Sequence, residues 1–266
     1  MVRNRYKLVE EDFIIHKGKK LYRIKALKRF KTSLGLAIRR GELGGYIEGY
    51  HNLSQEDNSW IFDEAKVYGN ARVKNSARLG SNAEVYGNAM IRDKAVVEGD
   101  AEVFGNAEVS DRSVVTNNAK VYGNSRVTDE FDPFSSSLCQ KNSTILDNVN
   151  IYGNSVVYSS TLADNAKVYG NAKVNQVTAR DNIKVYDNAV AGECKSRSFF
   201  FINDNSELYG NSSIILQDIG ARFCGDTKIR DNSSINYFSK SIKLPKLVKV
   251  DVDYKNNTRD HEEKKV

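Results

Sequence analysis

From Ala65 onward the chain alternates small and large apolar residues with a strict beat. A small residue stands at every sixth position: Ala65, Ala71, Ala77, Ala83, Ala89, Ala95, Ala101, Ala107, Ser113, Ala119 and Ser125. Two places after each comes a branched aliphatic, running Val67, Val73, Leu79, Val85, Ile91, Val97, Val103, Val109, Val115, Val121 and Val127. Residues two apart share one face of a strand, so both columns point inward. Lys66, Arg72, Glu84 and Arg126, which lie between them, point to water. Two places beyond each large residue stand Gly69, Asn75, Ser81, Gly87, Asp93, Gly99, Gly105, Asp111, Asn117, Gly123 and Asp129. All but Ser81 are Gly, Asn or Asp, the residues that accept left-handed backbone angles at a sharp corner. Six residues therefore predict one short strand and one corner. Val67, Val85, Val103 and Val121 are 18 residues apart, so three such units close a triangular coil.

This pattern resembles the hexapeptide-repeat family. The resemblance implies an all-β chain folded as a left-handed single-stranded parallel β-helix. The hand is what the resemblance implies, because the general rule for crossovers favours the right-handed sense. A pentapeptide-repeat helix would show a period of five.

The segment KVYGN (66–70) returns as EVYGN, EVFGN and KVYGN at the same 18-residue spacing. Its asparagines, Asn70, Asn88, Asn106, Asn124, Asn154, Asn171, Asn188 and Asn211, share one slot of the coil. Stacked at about 4.8 Å, such amides predict a hydrogen-bonded ladder. Tyr68, Tyr86, Phe104, Tyr122, Tyr152, Tyr169, Tyr186 and Tyr209 predict an outward aromatic stripe beside it. A ladder that stiffens the wall explains both columns; a stacking platform for bases or sugars is the alternative. Construction needs repetition, whereas a site needs convergence, so the motif reads as a tile.

The period fails at identifiable places. Twelve residues are gained between Val127 and Ile145, and five between Ala191 and Ile202. One is lost after Val157 and one after Val174, and the last coil reads as shortened after Ile214. All of these predict a single corner, with loops at 129–143 and 192–201 about 14 Å apart, three coils at 4.8 Å each. Solenoids place function where insertions gather, although corners also accept neutral insertions cheaply.

The ends do not follow the beat. Residues 13–27 (FIIHKGKKLYRIKAL) predict a hairpin with a Lys-Gly turn, which caps the open edge of the first coil. The stretch GELGGYIEGYHNLS (41–54) is turn-rich and leads to Trp60. Together with the YGNA tiles it resembles the YdcK-like group of β-helix proteins, a group described as transferases and also met in phage genomes. The organisation expected is an N-terminal β cap over 1–57, the β-helix over 58–238, and a cap strand with a basic disordered tail over 239–266.

Charge follows the same division. Residues 1–50 carry 13 Lys/Arg against 5 Asp/Glu and residues 239–266 carry 8 against 5, which leaves 19 against 24 in between. A basic end suits nucleic acid or another acidic partner, or is a solvated surface. No apolar run of about 18 residues suggests a membrane span, and the start lacks the apolar stretch of a signal peptide. The expectation is a cytoplasmic protein.

Candidate chemistry is sparse. Many hexapeptide-repeat proteins are acyltransferases that use a histidine base. Here the histidines are His16, His51 and His261, none of them within the helix proper. Three histidines on one zinc, as the carbonic-anhydrase-like branch requires, do not fit that placement. Cys139, Cys194 and Cys224 suggest neither a disulfide framework nor a metal site. No catalytic residue, cofactor or metal is expected.

The reading that follows is a rigid, non-catalytic interaction or scaffold protein that holds a protein or peptide partner at the irregular corner. Its contacts would be Phe131, Asp132 and Phe134 on one loop, and Lys195, Arg197, Phe199, Phe200 and Phe201 on the other. An acyltransferase-like enzyme acting on a small molecule is the alternative. Nucleic acid at the basic N-terminal cap is disfavoured beside a partner of mixed character. Val96 and Val114 form only a small outward apolar strip, so a monomer or weak oligomer is expected, with a trimer as the family's common alternative.

Overall fold

The computed structural model describes residues 4–32, 35–128, 143–194, 200–216, 221–223 and 227–237. Three parallel sheets form the walls of a solenoid. The first face begins with Lys66–Val67, the second with Arg72–Val73 and the third with Trp60–Ile61 and Arg78–Leu79. Each face stacks nine solenoid strands, and the first continues into the N-terminal strands to make twelve. The register is exact in its period: Val67 pairs with Val85, Val85 with Val103, and Val103 with Val121.

The inward columns are buried from Ala65 and Val67 through to Leu208 and again at Ile229, with Phe223 between them half-buried. The corner column is left-handed, as its composition predicts: Gly69 has φ 67°, Asn75 67°, Asp93 62° and Gly105 73°. Ser81, the one residue of another type, takes φ 56° as well, and the Asp63 carboxylate accepts its N–H at 3.0 Å. A side-chain anchor on the preceding coil thus offsets an unfavourable residue.

The asparagine slot is a continuous ladder. Asn70 Nδ2 donates to Asn88 Oδ1 at 3.0 Å, Asn88 to Asn106 at 2.9 Å, and Asn106 to Asn124 at 2.8 Å. It continues through Asn154, Asn171, Asn188 and Asn211 to Asn232. A second ladder, Asn118–Asn148–Asn165–Asn182–Asn205, runs at the corner after the third face.

At the N-terminus, β1 (Tyr6–His16) and β2 (Lys19–Ala26) form the expected hairpin. Its turn residues Lys17 and Gly18 both have positive φ, the backbone that matches strand twist in a two-residue turn. β3 (Phe30–Lys31) and β4 (Ala37–Ile38) make a small separate ribbon. The stretch 41–54 departs from its turn-rich reading, because Leu43–Ile47 is a strand, β5, paired antiparallel to β2 and parallel to Lys66–Val67. Gly44 and Gly45 serve close approach there rather than a turn. A Cβ on Gly44 would lie 2.4 Å from the Ile61 carbonyl, and one on Gly45 2.4 Å from that of Ala65. Ile47 and Leu53 stack on Val67 and Val73, so the stacking reaches back into the segment read as cap.

Two sequence readings need correction. The last coil is lengthened, not shortened, after Ile214. Phe223 pairs with Ile202 on the third face, nine positions on instead of six, and the helix continues through Ile229 to the strand Ser234–Tyr237. Val96 is only 6% exposed within its column between Arg78 and Val114, so the two valines make no open strip. Residues 239–266 lie outside the described residues.

Candidate functional site

Every irregularity of the period falls between the second and third faces. Strands of the second face are two residues long where the repeat is regular, as in Met90–Ile91 and Glu108–Val109. They lengthen beside the breaks to Arg126–Thr128, Val156–Tyr158, Lys173–Asn175, Val190–Cys194 and Ser213–Leu216. The chain resumes on the third face at Thr144, Thr161, Val177, Phe200 and Ala221. Two long connections therefore flank two trimmed ones on a single corner.

The trimmed corners form the floor between the loops. Ser159 (φ 42°) and Gln176 (φ 56°) make the turns, and their N–H groups donate to Thr128 O and Tyr158 O, each at 3.2 Å. Tyr158 and Asn175 stand side by side, both half-buried. The Gln176 Oε1 is buried and meets no donor within the described residues. A buried acceptor left without a donor costs about 1–3 kcal/mol. The period marks this floor by the single positions missing after Val157 and Val174, but it does not say which residues make the turns.

Beneath the corner, hydroxyls replace the alanines of the inward column. Ser143 Oγ donates to Thr128 O at 2.7 Å, so the loop over 129–142 leaves and returns through two buried residues that are bonded to each other. Ser110 Oγ lies 3.0 Å from Thr128 Oγ1. Ser160 Oγ donates to Tyr158 O at 2.5 Å and accepts the Val177 N–H at 3.1 Å. These bonds fix the base of the corner whatever its loops contain.

Phe131, Asp132, Phe134, Lys195, Arg197 and Phe199 lie outside the described residues. Phe200 and Phe201 are in the strand Phe200–Ile202, paired with Val177 and Thr178. Ile202 points inward and is fully buried, and Phe201 is 37% exposed. Phe201 lies in an outward column on the third face that runs through Val114, Thr144, Thr161 and Thr178 and continues to Arg222.

The aromatic stripe is a closed stack. Successive rings from Tyr68 to Tyr209 lie 4.7–5.1 Å apart and within 8° of parallel. Their faces are occupied by one another, and the first ring meets His16 edge-on at 5.4 Å. The stack leaves edges rather than faces for a base or sugar, which removes the basis of a stacking platform. Burial pushes the Tyr186 phenol up to about 12, with Glu207 adding to the effect.

Both described histidines are held by the framework. His51 Nε2 lies 2.8 Å from Gly69 O, and His16 Nε2 lies 3.1 Å from Glu84 Oε2. Several cations of the N-terminal segment are paired: Lys17 with Glu84, Lys19 with Glu48, and Arg23 with Asp12 and Glu64. The basic cap thus docks on acids of the chain itself. Among the described residues no group of three or more His, Cys, Asp or Glu is placed to hold a metal, and no helix is long and apolar enough to cross a membrane.

Residues 65–81 match the YdcK β-solenoid repeat, a span of about one coil that begins with the first KVYGN tile. No curated protein matches the chain.

Proposed function

For this YdcK-like β-solenoid repeat protein we propose a cytoplasmic, non-catalytic role: a rigid module that holds a protein or peptide partner at the irregular corner. The observation that carries the reading is convergence. Five departures from the period sit on one corner, while the other two corners keep their ladders or unbroken spacing.

The chemistry of the corner supports a peptide-like ligand. The neighbouring third face offers Val114, the threonine column and Phe201, a flat surface of β-branched and aromatic side chains. The loops add Phe131, Asp132 and Phe134 on one side and Lys195, Arg197 and Phe199 on the other. One loop is acidic and the other basic, a mixture that suits a polypeptide better than a polyanion.

The test is capture from host lysate by the wild type beside a variant in which both loops are cut to six-residue corners. The reading expects the trimmed chain to fold, with an unchanged strand signature by circular dichroism, and to lose the partner that wild type retains. Retention of every partner by the folded variant would overturn it.

A further inference from the structure

The outermost strand of the largest sheet, β1, pairs with β2 and with no other strand among the described residues. Its two halves are treated differently. Near Tyr6 the free side is filled, because Gln55 Oε1 accepts from the N–H groups of Arg5 at 2.8 Å and Tyr6 at 3.2 Å. The Tyr50 hydroxyl accepts the Leu8 N–H at 3.4 Å. A register shift between Val9 and Phe13 then carries Glu10, Glu11 and Asp12. Bulges and charges of this kind are how sheet edges are blocked.

From Phe13 to His16 no such device is present among the described residues. The side chains of Phe13 and Ile15 are 45% and 68% exposed on one surface of the hairpin. The turn decides where their backbone points. His16 and Lys19 flank a two-residue turn, so they form a hydrogen-bonded pair, and such pairs alternate along an antiparallel ladder. Ile15, opposite Lys20, and Phe13, opposite Tyr22, therefore direct their N–H and C=O groups away from β2. Among the described residues, nothing pairs with this apolar edge or its outward backbone groups.

Its own charge pattern identifies the occupant. Read along the strand, Glu11 and Asp12 are followed by apolar Phe13, Ile14 and Ile15, and then by His16 and Lys17. Laid antiparallel on a second copy about Ile14, the outward groups of Phe13 meet those of Ile15. Asp12 then lies opposite His16, and Glu11 opposite Lys17. Sliding the pairing by two residues keeps the backbone parity but sets Glu11 against Ile15 and Asp12 against Ile14. Asp12 already pairs with Arg23 at 3.2 Å and Lys17 with Glu84 at 2.8 Å, yet their side chains remain 40% and 52% exposed and open to a second partner.

We infer that the chain self-associates through β1, two hairpins joining edge to edge as a continuous four-stranded antiparallel sheet centred on Ile14. The open stretch is short, which places the contact among weak interfaces, below ~1,200 Å² of buried surface. The dimer is therefore concentration-dependent.

Sedimentation of the full chain over a concentration series reads this directly. Wild type should pass from 29.9 kDa toward twice that mass as concentration rises. Ile15→Pro removes an outward N–H while leaving the β1–β2 ladder its donors, the setting in which an edge strand accepts proline. That variant should stay monomeric with an unchanged melting curve. A second measurement fixes the register and does not depend on the proline. Phe13→Cys and Ile15→Cys chains, made with Cys139, Cys194 and Cys224 replaced by serine, should cross-link at least about fivefold faster when mixed than when either is oxidised alone. A wild type that stays monomeric throughout, a proline variant that dimerises like wild type, or cross-linking no faster in the mixture would overturn the inference.

Discussion

Lys17 Nζ lies 2.8 Å from Glu84 Oε2, which ties the tip of the N-terminal hairpin to the solenoid wall. His16 reaches the same carboxylate oxygen at 3.1 Å, and the Tyr68 hydroxyl donates to it at 3.1 Å. Lys17 also sits 4.8 Å above the Tyr86 ring. One carboxylate thus joins cap, aromatic stack and coil. Burial pushes the Glu84 carboxyl up, but the bonds from Lys17 and His16 outweigh it and hold the group below its ordinary value.

That depression sets the sign of a pH effect. A carboxyl whose folded value is lowered stabilises fully above its ordinary value of 4.5, and the gain disappears as pH falls through the folded value. Glu84→Gln should lose about 1 kcal/mol near neutral pH, typical of a half-buried charged hydrogen bond. Its melting temperature should also fall less steeply than that of wild type as the solution is acidified. Thermal melts over an acid series check this, and parallel acid limbs would contradict it.

Arg5 supports the base of the solenoid. It is 2% exposed and donates to the carbonyls of Ser54 and Ser59, each at 2.7 Å, with its guanidinium 4.6 Å from the Phe30 ring. Burial pushes its proton affinity down, with Asp57 opposing the effect. Arg5→Ala strands both carbonyls and should cost about 3–5 kcal/mol, as removal of a buried charged partner does. Because each coil contacts only its neighbours, hydrogen exchange should rise around residues 43–62 and hardly change in the middle coils. Arg5→Lys should rescue little, since an ammonium does not reproduce the fork that spans two carbonyls.

Asn106 accepts from Asn88 and donates to Asn124. Both bonds are solvent-exposed, so Asn106→Ala should cost about 1 kcal/mol, a small loss for a side chain that bridges three coils. Asn106→Asp keeps the acceptor and loses the donor, and should fall between alanine and wild type. Denaturant unfolding separates the three. A cost within error for alanine would make the ladder decorative.

What was legible in the sequence is whatever the period forces. Ala65, Val67 and Gly69 announce inside, inside and corner because the same answer returns many times along the chain. The hand of the coil is not forced, since a six-residue beat is satisfied by either sense. Places where two distant segments meet stayed hidden. Arg5 belongs to the basic N-terminal segment, and nothing local marks its side chain as buried, with the guanidinium against the Phe30 ring. Gly44 and Gly45 looked like turn residues because composition does not distinguish positive φ from close approach. At the corner, insertions announced their position by breaking the beat. The two deletions mark the trimmed coils in the same way, but they do not say which residues, Tyr158 and Gln176 among them, form the floor. The last coil reads as shortened after Ile214 for a related reason: an insertion near the end has few later coils to restore the count.

The central claim is that repeated residues build the wall and the irregular corner binds, so stability and partner capture should separate. The direct measurement takes two variants through one protocol of thermal melting and lysate capture. In the first, Phe104→Ala, the ring stacked 4.8 Å from Tyr86 and 4.7 Å from Tyr122 is removed, with an expected cost of about 2–4 kcal/mol. In the second, both corner loops are trimmed to six residues. The account predicts that Phe104→Ala melts lower yet retains the wild-type partner, while the trimmed chain melts close to wild type and loses it. The reverse pattern, with capture lost at the wall and kept without the loops, would contradict it.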